Sequence, residues 1–192
     1  TPMFKAVFLR LVAFTFRPMD AWEALSHKKV KENDDDFLSH FLYPMIGLIA
    51  LAAFVGMLFT GPEFDFVIAL KSTIKAIVAS AGGFFLASYL LNELWALVFK
   101  RPRSMRLIQP FVGYSSSLLF VIEIVQSFFP ELIFLRIPAL YTIYMIWAGA
   151  VNYLHVNNEV QLKFTTLASF IIIGTPAIIS FLLFTLMPGL RF

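Results

Sequence analysis

Few side chains in this sequence combine chemical reach with an apolar setting, but Asn92, Glu93, Tyr114 and Asn152 do. Polar groups inside long apolar runs are the first place to look for function in a membrane chain. Glu93 is the ionisable member, and because a lone carboxylate in lipid is costly it is expected to be paired or protonated. Counted along helices, the four share one depth and form a candidate hydrogen-bonded cluster. Its chemistry is interhelical glue or, with Glu93 carrying protons or a cation, an ion path. Glu123 and Gln126 make a second polar group that Lys75 reaches by snorkelling, more readily a structural pair than a path.

Much other chemistry is excluded. The chain has no cysteine, which removes disulfides, thiolate nucleophiles and iron–sulfur ligation. His27, His40 and His155 lack metal-ligand spacing, and no Gly-rich phosphate cradle occurs. Catalytic, cofactor and metal residues are therefore assigned nowhere, and neither a cofactor nor enzymatic activity is expected. Gly113-Tyr114-Ser115, with His155 on the same side of the membrane, is a weak match to the turn that presents a nucleophilic serine, since the downstream glycine and an orienting partner are missing. The basic group Lys100, Arg101, Arg103 and Arg106 stands beside an apolar run, where contact with anionic lipid head groups explains it better than nucleic acid does.

Five apolar runs must position these groups: 37–59, 77–99, 107–129, 137–154 and 164–187. Each approaches the roughly 20 residues that carry a helix across a bilayer. The composition agrees, with 59% hydrophobic and 14% charged residues and a mean hydropathy of +0.81. The fold class expected is an all-α integral membrane bundle of five transmembrane helices (37–192) behind an N-terminal segment (1–36). Lys5, Arg10, Arg17, Lys28, Lys29, Lys31, Lys100, Arg101, Arg103, Arg106 and Lys163 fall on one side, against Lys71, Lys75, Arg136 and Arg191 on the other. The positive-inside rule then places the N-terminus in the cytoplasm and the C-terminus outside.

No signal peptide is expected at the start, because Arg10 interrupts the apolar stretch. Phe4, Val7, Phe8, Leu11 and Phe14 share one helical face with Arg10 and Arg17 opposite, the pattern of a helix lying in the membrane interface. A second short helix should follow Arg17-Pro18, with Asp20 and Glu23 as a capping box and Trp22 and Leu25 as its apolar edge. These helices either anchor a polar tail or offer a docking surface to a cytoplasmic protein. The acidic run Glu32, Asp34, Asp35 and Asp36 reads as a solvated linker. Small residues mark close helix contacts at Ala52 and Gly56 and at Ala79, Gly83 and Ala87. Gly174-Thr175-Pro176 should kink or unwind the last run.

Taken together, Phe16-Arg17-Pro18, Ala21-Trp22-Glu23, Leu42-Tyr43-Pro44 at the entry to the first run, Gly113-Tyr114 in the third, and the basic loop between the second and third resemble the bacterial branch of the Yip1 family. The motif positions are Tyr43, Pro44, Gly113 and Tyr114. The resemblance implies a small five-span protein of the bacterial inner membrane with a cytoplasmic N-terminus. Eukaryotic members are associated with Rab GTPases and carry an Asp-Leu-Tyr-Gly-Pro motif and a Gly-Tyr followed by three residues and proline. Here His40 to Pro44 lacks the aspartate and glycine, and Leu118 stands at the proline position. The expected role is a non-enzymatic scaffold or adaptor in contact with anionic membrane lipids, open to homo-oligomer formation. The alternative is a small-solute or ion transporter or channel using Glu93, Asn92 and Asn152.

Overall fold

The computed structural model describes residues 2–29 and 37–190, so the acidic linker lies outside the described residues. Within them the chain is helical: α1 (Pro2–Phe16), α2 (Pro18–Lys29), α3 (Leu38–Thr60), α4 (Phe66–Leu97), α5 (Met105–Ser115), α6 (Ser117–Phe128), a tight turn of helix over Ile133–Leu140 leading into α7 (Tyr141–Asn152), and α8 (Asn158–Leu186). Four elements are long and apolar enough to cross a membrane, namely α3, α4, Ile133–Asn152 and α8. The pair α5 and α6, bent by 42° at Ser116, makes a fifth if taken as one crossing. The molecule is thus an integral membrane helical bundle. Its two ends differ in charge: the basic end carries Lys100 to Arg106, and the opposite end carries Glu63, Asp65 and Glu131.

Local sequence explains where the helices start, widen and stop. Pro18 lacks an amide and disfavours helical geometry at Arg17, so α1 ends and α2 begins with proline as its first residue. Asp20 consequently sits in the first turn of α2 instead of capping it, where its charge still meets the helix dipole. Pro44 likewise cannot donate to the carbonyl four residues back. The turn before it, Leu38–Leu42, widens, and the Tyr43 amide bonds Leu38 instead. Asp65 caps α4 by accepting from the Val67 and Ile68 amides at 2.8 and 3.1 Å. At the basic end α4 and α7 both close by a bond spanning six residues, Arg101 N to Trp95 O at 3.1 Å and Val156 N to Ala150 O at 2.9 Å. The left-handed residues these closures need are Lys100 (φ 52°) and His155 (φ 51°), where glycine is usual.

Three expectations need correction. The second crossing begins eleven residues earlier than the apolar run that suggested it, at Phe66 against 77, because Lys71 and Lys75 ride on α4 and do not lie in a loop. Pro176 does not interrupt α8, which runs unbroken through it. The irregularity falls instead on the facing helix, whose widened turn Val78–Gly82 leads into Gly83; a Cβ on Gly83 would stand 3.0 Å from the Pro176 ring. Third, α1 is more than an interfacial helix. It packs on α2, α3, α5 and α6, burying Val7 and Phe14 while Phe4 and Phe8 stay 44% and 64% exposed.

The small residues foreseen as seams are buried: Ala52, Gly56, Ala79, Gly83 and Ala87. Gly56 lets α3 meet α6 so closely that a Cβ there would collide with the Ser127 carbonyl. This is packing by backbone approach, the mode suited to lipid.

Candidate functional site

At the basic end, α1 and α2 are seated in an aromatic nest. Trp22 is fully buried, and its indole N–H donates to the Met145 carbonyl on α7 at 3.0 Å. Its ring packs on Phe111 at 5.5 Å, Tyr153 at 5.2 Å and, edge-on, Phe14 at 4.8 Å. Gly149 makes the space, since a Cβ there would approach Trp22 to 2.8 Å and Phe111 to 2.7 Å. Phe14 in turn stacks flat on Tyr114 at 4.3 Å. Phe37 and Phe41 press on the same ring from 5.0 and 4.6 Å. Burying an indole with its donor satisfied is among the stronger single anchors available, worth about 3 kcal/mol or more if truncation data are a guide.

The structure does not unite the four candidate polar residues. The Asn92 side-chain oxygen accepts from the Ser104 amide at 2.9 Å. Glu93 receives the Arg103 guanidinium in a two-pronged pair at 2.9 and 2.8 Å. Held by that carboxylate, Arg103 is pushed above its ordinary pKa and stays a cation. Asn152 donates to Ala148 on its own helix at 2.9 Å. Tyr114 takes an N–H of Arg10 on its hydroxyl at 3.1 Å. Among the described residues the four share no hydrogen bond, and they do not share one depth. Asn92 is level with Ser104, whereas Tyr114 lies ten residues further along, roughly 15 Å at the rise of an α-helix.

Other expectations also move. Lys75 does not pair with Glu123 or Gln126 among the described residues; α3 packs against both α6 and the first half of α4. His155 meets the Ser26 hydroxyl at 3.4 Å and not Ser115, whose buried hydroxyl has no partner among the described residues. The weak nucleophile match is therefore dispersed. Lys100, Arg101 and Arg106 are exposed, with Arg101 standing over the Trp95 ring at 5.9 Å. Arg10 is the residue that sequence reasoning misplaced: helical counting sent it away from the apolar face toward water, and the structure turns it onto Tyr114. The signal was available in Arg10 and Phe14, one turn apart and therefore on one side.

Two of the positions that carry family character, Gly113 and Tyr114, belong to this nest. Pro44 sets the widened turn that follows Phe37 and opens the first crossing, and Gly113 is backed by Phe37, whose ring a Cβ would strike. Tyr114 receives Phe14 and Arg10 from α1. The sequence model of the Yip1 domain matches residues 12–187, nearly the whole chain. The chain belongs to the Yip1 family. No curated protein and no solved structure gives a match. Within this Yip1 domain, Tyr43 differs from the other motif residues in standing 54% exposed, beside the buried Leu42.

Proposed function

We propose that this Yip1-domain chain is a non-enzymatic scaffold or adaptor of the bacterial cytoplasmic membrane, with the basic end inside and the C-terminus outside. The observation that supports it is the Trp22 anchor, which holds α2 against α7 while Glu23, Ala24 and His27 remain exposed. A rigidly mounted helix with an outward polar face suits a cytoplasmic protein partner. The eleven-to-four asymmetry of basic residues supports the orientation. Lys100, Arg101 and Arg106 then meet the anionic inner leaflet.

The transporter reading is the weaker one. Glu93 is occupied by Arg103 near one surface, and Asn92 and Asn152 are spent on other bonds. Transport sites usually sit at the midplane with coordinating groups converging.

The test is paired. Photo-crosslinking residues placed at Glu23 and His27 of the full chain in cells should capture the same cytoplasmic protein, and one at Glu131 should not. Purified protein in liposomes should pass no protons or monovalent cations above protein-free vesicles. Flux that vanishes in Glu93→Gln would replace the scaffold by the transporter.

A further inference from the structure

We propose that Arg10, seated on the Tyr114 hydroxyl, binds the phosphate of an anionic lipid from the leaflet at the basic end. This rests on the orientation and lipid contact proposed above and adds a defined binding point to them.

Among the described residues the charge of Arg10 is unmet. A guanidinium has five N–H donors and is always ionised. Arg10 is half-buried, and its bond within the described residues is one N–H to a neutral hydroxyl. No carboxylate among the described residues pairs with it. Arg103 provides the contrast, because there a carboxylate fills both prongs of the fork. A cation set into apolar surroundings without a counter-charge is costly, so an anion is needed at Arg10.

The surroundings say which anion. The rest of α1 turns Met3, Phe4, Phe8, Leu9, Val12 and Phe16 outward, from 37% to 77% exposed. That much apolar surface on one helix is covered by lipid, not water. Arg10 is therefore flanked by acyl chains, and the anion that comes with acyl chains is a lipid phosphate, which accepts two parallel N–H bonds. Side chains lean toward the N-terminal end of their own helix, so Tyr114 inclines toward the basic end and brings Arg10 nearer the head groups. The sequence offers one competitor, the acidic run Glu32 to Asp36, outside the described residues.

The full chain in neutral detergent is titrated with short-chain phosphatidylglycerol, phosphatidylcholine of the same chain length, or inorganic phosphate, following its thermal unfolding. Phosphatidylglycerol should raise the midpoint saturably, and the other two should not. Arg10→Gln should weaken that titration about tenfold or more, as expected for one charge-assisted bonded group. Arg10→Lys, which keeps the charge and reports on folding, should lose less. The combined variant K100Q/R101Q/R106Q should keep the saturable response while losing the salt-sensitive remainder. An unchanged titration in Arg10→Gln, as results if the acidic run supplies the counter-charge, overturns the proposal. So does an equal response to inorganic phosphate. If the combined variant alone abolishes the response, the lipid contact of the basic end stands and the Arg10 site falls. If wild type does not distinguish the two lipids, both fall.

Discussion

The two ends of this bundle are held by different means. At the basic end, side chains reach between elements: Trp22 to Met145, Arg10 to Tyr114, Glu93 to Arg103, Ser26 to His155. Side chains that turn back on their own helices occur at both ends, as Asn152 and Thr166 do at the one and Thr73, Ser127 and Thr185 at the other, but toward the opposite end the helices meet by backbone approach at Gly56. The exception there is Lys71, whose ammonium reaches the Pro188 carbonyl at 3.0 Å. In lipid the hydrophobic effect does not drive helices together, so small residues suffice for the span–span seams. The N-terminal helices must be tied to the bundle by more specific contacts. Directional bonds and aromatic rings therefore concentrate where α1 and α2 dock.

Substitutions at the two ends should differ accordingly. Trp22→Ala removes the largest anchor and leaves a cavity against Phe111, Tyr153 and Gly149. It should cost about 4 kcal/mol of stability, the range for buried tryptophan truncation. In limited proteolysis the segment 17–29 should become the first site cut while the crossings stay protected. Gly56→Ala acts at the opposite end, where the obstacle is backbone and cannot swing aside. A loss of about 2 kcal/mol in thermal or denaturant unfolding in detergent is expected, the scale of overpacking, with no gain in cutting at 17–29. If both variants expose that segment equally, the contrast between the ends is false.

Smaller effects sharpen it. Lys100→Gly relieves a left-handed backbone that a side chain resists and should stabilise by about 1 kcal/mol. A loss would mean that the Lys100 side chain holds more than its backbone does. Glu93→Gln breaks an exposed-side pair and should leave the unfolding midpoint almost unmoved, as surface ion pairs generally do. A large drop would make the Glu93–Arg103 bond a principal tie between α4 and the loop that leads into α5.

Much of the fold was legible because lipid imposes a long apolar run on every crossing, and the order of residues shows such runs directly. Helix ends were harder. Lys71 and Lys75 looked like loop residues, yet α4 carries them because Asp65 caps it before them. Pro176 looked like a break, yet the facing Gly83 gives it room. Helical counting found that Phe14 and Val7 share a face but not that the face meets protein, since interfacial lipid and a docked aromatic nest select the same residues. Depth along separate helices was inferred from run ends, and the bond between Asn92 and Ser104 moves that reference by several turns relative to Tyr114. The pairing of Arg10 with Tyr114 spans 104 residues, so the Arg10–Phe14 spacing gives the side that Arg10 takes but not the partner it meets there.

The central claim, that α1 and α2 are a fixed part of the bundle and not a tethered tail, is tested most directly by crosslinking. Because the chain has no cysteine, a double variant S26C/H155C reports on one contact alone, the 3.4 Å approach of Ser26 to His155. Treated in membranes with a short homobifunctional thiol crosslinker, which spans the gap left when the imidazole is replaced, it should become linked within one chain in most of the protein, and adding Trp22→Ala should abolish the link. A chain that stays unlinked at this pair, or that links as readily without Trp22, would contradict the docking.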